Sequence, residues 1–387
     1  MKTTLGLITK VTIVCATLTI TGCGSNSAKH NNVVKSVIDV AATEFDYQQL
    51  LNDTVKNNVP GVVLYIQSPT VEFYGAAGLA DINTQTMMQI DARIPNGSAG
   101  KKLTALLAAM LHEEGRFDLD APISQYLPTS ILSKIQYSQL MTTRQLLSHT
   151  SGVFDYLADN DGEFYQAVQQ QPNKLITDSF ALHYALDKPA HFSPGSDWRY
   201  SNTGYILAGL ILNSVLGEHH SKALRDYVLD PLGLTSMSYG GIEKAHAEIV
   251  SGYFLLDDKL ENTQSFYSNI GVADAPVVGD ARDMAELLRH IVESEQINES
   301  LRQLLIGDAN LNKTGQVNQR YGMGIFVERY DDQVVYYHGG DELGYATRDY
   351  YFPKTQTAIT MLFNCNGYRT CEVDIDNMRD TVLKQFL

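Results

Sequence analysis

Apolar positions along this chain recur with two different periods, and the periods predict its elements. Leu103, Leu106, Leu107, Met110 and Leu111 return every third or fourth residue, the spacing of one helical face, and Gly115 stands where such a helix would stop. Tyr205 to Leu212 is apolar almost throughout and long enough for a core helix. Asp280 to Ser294 and Val373 to Leu387 carry further helical patterns, as does an amphipathic segment near Val33 to Lys56. The shorter runs Gly61 to Gln67, Val71 to Gly78, Val334 to Tyr337, Gly344 to Phe352 and Thr357 to Phe363 are rich in β-branched and aromatic residues and read as strands. These strands lie toward both ends of the chain, and residues from about 120 to 269 read as mostly helical. The arrangement predicts an α/β (α+β) fold. An antiparallel sheet flanked by helices would come from about residues 46–119 and 270–387, with an all-α part at about 120–269 inserted. A site would form where the two parts meet.

The first residues change the picture. Lys2 and Lys10 precede the mainly apolar Val11 to Ile20, which is too short to span a bilayer, and Ile20-Thr21-Gly22-Cys23 follows. Residues 1–22 therefore read as a secretory signal, and the pattern resembles a bacterial lipobox. That resemblance makes Cys23 the lipidated first residue of the mature protein, anchored in the cell envelope, on the periplasmic side of the outer membrane if the cell is Gram-negative. Residues 23–45 would supply a tether and the start of the N-terminal helix, and residues 46–387 the catalytic unit. Removing the signal leaves 365 of 387 residues and takes the formal charge from −15 to −17. So acidic a chain is unsuited to nucleic acid or to an anionic membrane surface, so its membrane link would be the lipid alone. With Cys15 lost and Cys23 lipidated, Cys365 and Cys371 remain; an exported location permits a disulfide between them, and two free thiols are the alternative.

The candidate chemistry begins at Asn96-Gly97-Ser98-Ala99-Gly100-Lys101, where Ser98 opens the first apolar helix. A serine hydroxyl is a weak nucleophile until a base takes its proton, and a lysine one turn along can lie beside it. Lys102, next in line, reads as a surface residue. A G-x-S-x-G elbow is the rival reading, but Asn96 stands where its first glycine belongs. Tyr-Ser-Asn occurs twice. Tyr200-Ser201-Asn202 follows the turn Ser193-Pro194-Gly195 and precedes a core helix, whereas Tyr267-Ser268-Asn269 lies in a mixed polar stretch and reads as a surface aromatic. Lys313-Thr314-Gly315 spells a known motif but reads as a loop; His338-Gly339-Gly340 ends a strand instead, and glycines on an edge strand let a substrate backbone approach.

With these motifs on the page, the chain resembles the serine β-lactamase and penicillin-binding peptidase superfamily, on the branch of class C β-lactamases, D-aminopeptidases, DD-carboxypeptidases and related esterases. The resemblance extends to Glu113 to Ile123, Arg144 to Gly152 and Asp230-Pro231-Leu232-Gly233-Leu234. It implies that Ser98 is acylated, that Lys101 activates it and that Tyr200 shuttles protons. It further implies that Asn202 binds a substrate amide and that the N–H groups of Ser98 and Asp341 form the oxyanion hole beside Gly340. His338 would stand where most β-lactamases have lysine, which favours peptide, amide or ester substrates over β-lactams. His149 reads as a residue that fixes a helix end. No metal-ligand pattern occurs, and neither metal nor cofactor is expected. A catalytically silent penicillin-binding or envelope-interaction lipoprotein is the alternative of another class. The sequence leaves the oligomeric state open.

Overall fold

Alternating and fully apolar strands build one large antiparallel sheet. The structure is a computed structural model that describes residues 45–387 apart from 172, 244–247, 257–258 and 331; the signal segment and Cys23 lie outside the described residues. Strands β1 (Gly61–Gln67), β2 (Glu72–Asp81) and β3 (Thr86–Met87) come from the front of the chain. From the back come β4 (Asn312–Lys313), β5 (Gln319–Tyr321), β6 (Phe326–Tyr330), β7 (Gln333–Tyr337), β8 (Gly340–Glu342), β9 (Tyr345–Phe352) and β10 (Thr357–Phe363). The spatial order is β4-β5-β6-β7-β9-β10-β1-β2-β3, with β8 paired only to β9. The two chain ends meet where β10 pairs with β1, Val62 opposite Phe363 and Ile66 opposite Ile359. β10 is buried along its whole length, as a central strand covered on both faces must be.

Helix α1 (Tyr47–Thr54), begun by the Asp46 side chain accepting from the Gln49 N–H, packs on β1 and β2. Helix α4 (Ala281–Glu293), started in the same way by Asp280 on the Asp283 N–H, lies across β9, β10 and β1. Between the sheet region and the rest sits α2 (Lys101–Glu113), reached through a 3₁₀ turn at Gly97–Gly100. Residues 101–109 of α2 are all buried, because α3 (Asn202–Leu216) and α5 (Glu299–Ile306) enclose it. Helix α3 has no polar face to expose; Tyr205, Ile206, Leu207, Ala208, Ile211 and Leu212 are fully buried, and Gly217 at φ 74° ends it in the left-handed region. Helix α6 (Arg369–Leu383) closes the chain and touches α1. Cys365 and Cys371, both buried, are joined by a disulfide between the end of β10 and α6.

Several expectations need correction. The middle of the chain is not all-α: a hairpin pairs Tyr253–Leu256 with Lys259–Asn262, and Ile176–Thr177 runs parallel to Ile270–Gly271. Lys313 is not in a plain loop but in a two-residue edge strand opposite Arg320, where backbone pairing rather than side-chain alternation makes the strand. Lys102 is fully buried, hydrogen-bonded to Asp349 on β9, which also accepts from the Thr360 hydroxyl at 3.0 Å. Tyr267 is buried as well, its hydroxyl taken up by Glu342 and the Leu343 N–H. Within the described residues the helix near Val33 to Lys56 is the eight-residue α1 alone.

Candidate active site

Three separate stretches of chain converge at the N-terminal end of α2. The first is the turn Gly97–Gly100, which Gly97 enters at φ 56°, a value that favours glycine. One turn on, the side chain of Lys101 returns to Ser98, with Nζ 2.9 Å from Oγ. The ammonium nitrogen also donates to Asn202 Oδ1 and to the Asp274 carbonyl, both at 2.8 Å. Lys101 has no solvent exposure, and that burial pulls its pKa down, opposed by the carboxylates of Asp274, Asp155 and Glu342. Three acceptors surround an ammonium with three protons. A neutral amine has two, which the Asn202 and Asp274 oxygens claim, leaving its lone pair toward Ser98 Oγ.

The second stretch carries Tyr200, half-buried, with burial pushing its pKa well up against the pull of the Ser98 hydroxyl. The Lys101 nitrogen lies 5.2 Å from its ring centre. Behind the phenol stands His149, whose ring centre is 4.1 Å away. The Ser201 N–H donates to His149 Nδ1, so Nε2 carries the ring proton; it has no partner. Asn202 is held from the other side. Its Nδ2 faces both Asp155 oxygens, at 3.3 and 3.1 Å, and the same carboxylate accepts its backbone N–H at the start of α3. The Asn202 amide is thus engaged at both ends, Oδ1 by Lys101 and Nδ2 by Asp155.

The third stretch is β8. A side chain at Gly340 would put a Cβ 2.0 Å from the Asn96 carbonyl, and one at Gly97 would lie 3.2 Å from the Asp341 nitrogen. The Asp341 amide is therefore beside the Ser98 turn. Its carboxylate accepts from Arg348 Nη1 at 2.9 Å and from Asn366 Nδ2 at 3.2 Å. His338 is not an open donor. Its Nδ1 lies 2.7 Å from the Gly339 carbonyl, which can only accept, so Nε2 takes the Tyr321 hydroxyl proton at 3.2 Å. Burial holds the imidazole well below its usual pKa, hence neutral, and it supplies no fixed charge for a substrate carboxylate.

The beta-lactamase family profile matches residues 42–383. The chain belongs to the beta-lactamase family. Among relatives of this beta-lactamase-family protein is Protein flp of Staphylococcus aureus (strain NCTC 8325 / PS 47), 23% identical over 319 residues, 82% of this chain and 62% of the relative. This chain thus spans less than two thirds of that relative's length. Of solved structures, a D-stereospecific amidohydrolase from Streptomyces sp. superposes with a TM-score of 0.71 at 24% identity, covering 82% of this chain and 93% of that one. The D-amino acid amidase of Ochrobactrum anthropi SV3 gives 0.72 at 21%, covering 87% and 98%. These similarities establish the shared fold, a mixed antiparallel sheet with helices, and the family is one of serine hydrolases.

In this family member, the residues that sequence reasoning missed are acidic. Asp155, Asp274 and Glu342 surround Lys101, and Asp274 and Glu342 line the pocket beside Ser98 with Asn202 and Asp341. Asp155 and Asp274 lie in no motif. Glu342 follows Asp341 directly, and a second acid there was the one visible signal. Asp178 was missed too. It takes the Ala273 N–H at 2.8 Å and so steadies the carbonyl that Asp274 presents to Lys101.

Proposed function

We propose that this protein is a serine hydrolase that works through an acyl-enzyme on Ser98, on peptide or amide substrates containing a D-amino acid or on small esters. The observation that carries the reading is the buried Lys101 nitrogen at 2.9 Å from Ser98 Oγ, with two other acceptors fixing its remaining protons. Neutral Lys101 takes the Ser98 proton as Oγ attacks the substrate carbonyl carbon. Negative charge on the carbonyl oxygen is met by the N–H groups of Ser98 and Asp341. Tyr200, kept as a phenol by its raised pKa, gives its proton to the leaving group and regains one from Lys101. Water then attacks the ester, its proton passing to the same pair, and Ser98 leaves as the hydroxyl. The named amidase and amidohydrolase among the structural neighbours support the amide part of the substrate class.

We further infer that the protein is exported and anchored by a lipid on Cys23; the signal-like first residues and the Cys365–Cys371 disulfide support an oxidising compartment. The test of the catalytic reading is labelling of the purified mature protein with a fluorophosphonate and, separately, a penicillin. Mass spectrometry should find the adduct on Ser98, and Ser98→Ala should abolish it. Labelling at another serine, or none in folded protein, would reject the acyl-Ser98 mechanism.

A further inference from the structure

The pocket beside Ser98 is lined by carboxylates and by aromatic rings. Asp274 is almost fully buried there; Oδ2 accepts from the Tyr156 hydroxyl at 3.1 Å, while Oδ1 has no partner. Glu342 stands next to the nucleophile: its Cγ would lie 3.2 Å from a Cβ at Gly97. One hydroxyl fixes its position. Tyr267 Oη accepts the Leu343 N–H at 2.6 Å and donates to Glu342 Oε2 at 2.9 Å. The remaining walls include Tyr156, Phe164 and Tyr165; the Tyr156 and Phe164 rings meet edge-on with centres 4.9 Å apart, and Phe164 and Tyr165 at 5.6 Å.

We infer that this pocket is a subsite for an ammonium group of the substrate, with Glu342 and Asp274 as its counter-charges and the Tyr156, Phe164 and Tyr165 rings as its walls. The inference rests on the acyl-Ser98 reading and names the substrate class of that same site. Carboxylates supply the charge an ammonium needs, and ring faces attract cations while excluding water. Among the described residues, none that lines the pocket is cationic. His338 is neutral and doubly bonded, and Arg348 is engaged by Asp341. Burial, helped by the Asp274 carboxylate, pushes Glu342 up to about 8 against the pull of the Tyr267 hydroxyl and of Lys101, and an ammonium in the pocket would bring it back down. Tyr267, in the second Tyr-Ser-Asn, becomes a positioning residue that aims Glu342.

The test compares 4-nitroanilides that differ only by ammonium against methyl: alanine (D and L) against isobutyrate, and 4-aminobutanoate against pentanoate. Acylation of Ser98 is followed by mass spectrometry and turnover by released nitroaniline. The native protein should favour the ammonium partner, at one chain length at least, by tenfold or more in kcat/KM. Glu342→Gln should cut that ratio at least tenfold, and Tyr267→Phe, which keeps the ring, should cut it less and mainly through KM. A ratio that stays within twofold in both variants overturns the subsite, as does a native preference for the methyl partner. Phosphonylation of Ser98 by a fluorophosphonate, with loss of fluoride, alongside either result would leave the hydrolase reading standing; no reaction of Ser98 with any probe sinks both.

Discussion

Lys101 shows how far one residue's surroundings set its chemistry. An ammonium in water would keep its proton well above neutrality. Enclosed by α2, α3 and the 273–274 segment, it is pushed toward the amine that a base must be. Activity should therefore fall as pH drops through the depressed Lys101 pKa, since protonation removes the base. Lys101→Met should lower kcat about 10³-fold with a folded protein, and a flat acid limb in the variant's residual rate would identify Lys101 as the titrating group. Glu342 works in the opposite direction on stability. Its carboxyl stands at about 8 in the folded protein against 4.5 for the free side chain. Between these values the unfolded chain has lost a proton that the folded one keeps, so stability declines as pH rises through that window and is lowest above it. Glu342→Gln removes the titration. Its melting temperature should match the native protein's near pH 4 and exceed it at pH 9 by roughly 3 °C, measured by calorimetry at both pH values. An equal shift at both pH values would assign the effect to packing.

Helix α2 carries the consequences one level up. Because its first nine residues are buried all round, its second lysine cannot reach water and is paired with Asp349 from β9. Removing one partner strands a charge. Asp349→Asn should cost about 3–5 kcal/mol in urea unfolding, whereas Lys102→Met with Asp349→Leu should recover most of that loss, since no charge is then buried. If the double variant is as unstable as the single one, the pair contributes more than mutual neutralisation. The same enclosure explains what could be read from the sequence. β1 and β10 were legible to the residue, because central strands are continuous apolar runs bounded by turns. Lys102 was misread because a lysine after an S-x-x-K motif looks like a solvent-facing residue unless the helix has no outer face. Tyr267 was misread because its partners, Glu342 and Leu343, lie some seventy-five residues away and leave no trace in local polarity. The strands within 120–269 are short pairings made by tertiary contact, so periodicity could not announce them.

At the scale of the molecule, Ser98, Tyr200 and His338 were legible as spaced motifs and Asp341 through the family resemblance, yet the function proposed for them depends on a distance no motif encodes: how closely β8 approaches the Ser98 turn. Gly340 sets that distance. A Cβ there would stand 2.0 Å from the Asn96 carbonyl and 3.0 Å from the Ala99 nitrogen, both backbone atoms that cannot swing aside. Gly340→Ala must then push β8 away from the turn and carry the Asp341 N–H out of line with the Ser98 N–H. A displacement of about 1 Å costs on the order of 10²-fold in rate. Gly339 is the control next door, since a Cβ there first meets the Thr347 carbonyl at 3.3 Å and can be accommodated by a small shift. Gly340→Ala should therefore lose about 100-fold in kcat/KM toward an ester substrate, with circular dichroism unchanged, and Gly339→Ala less than about fivefold. Equal losses in the two variants would mean that β8 tolerates displacement, and that the second oxyanion donor comes from somewhere other than Asp341.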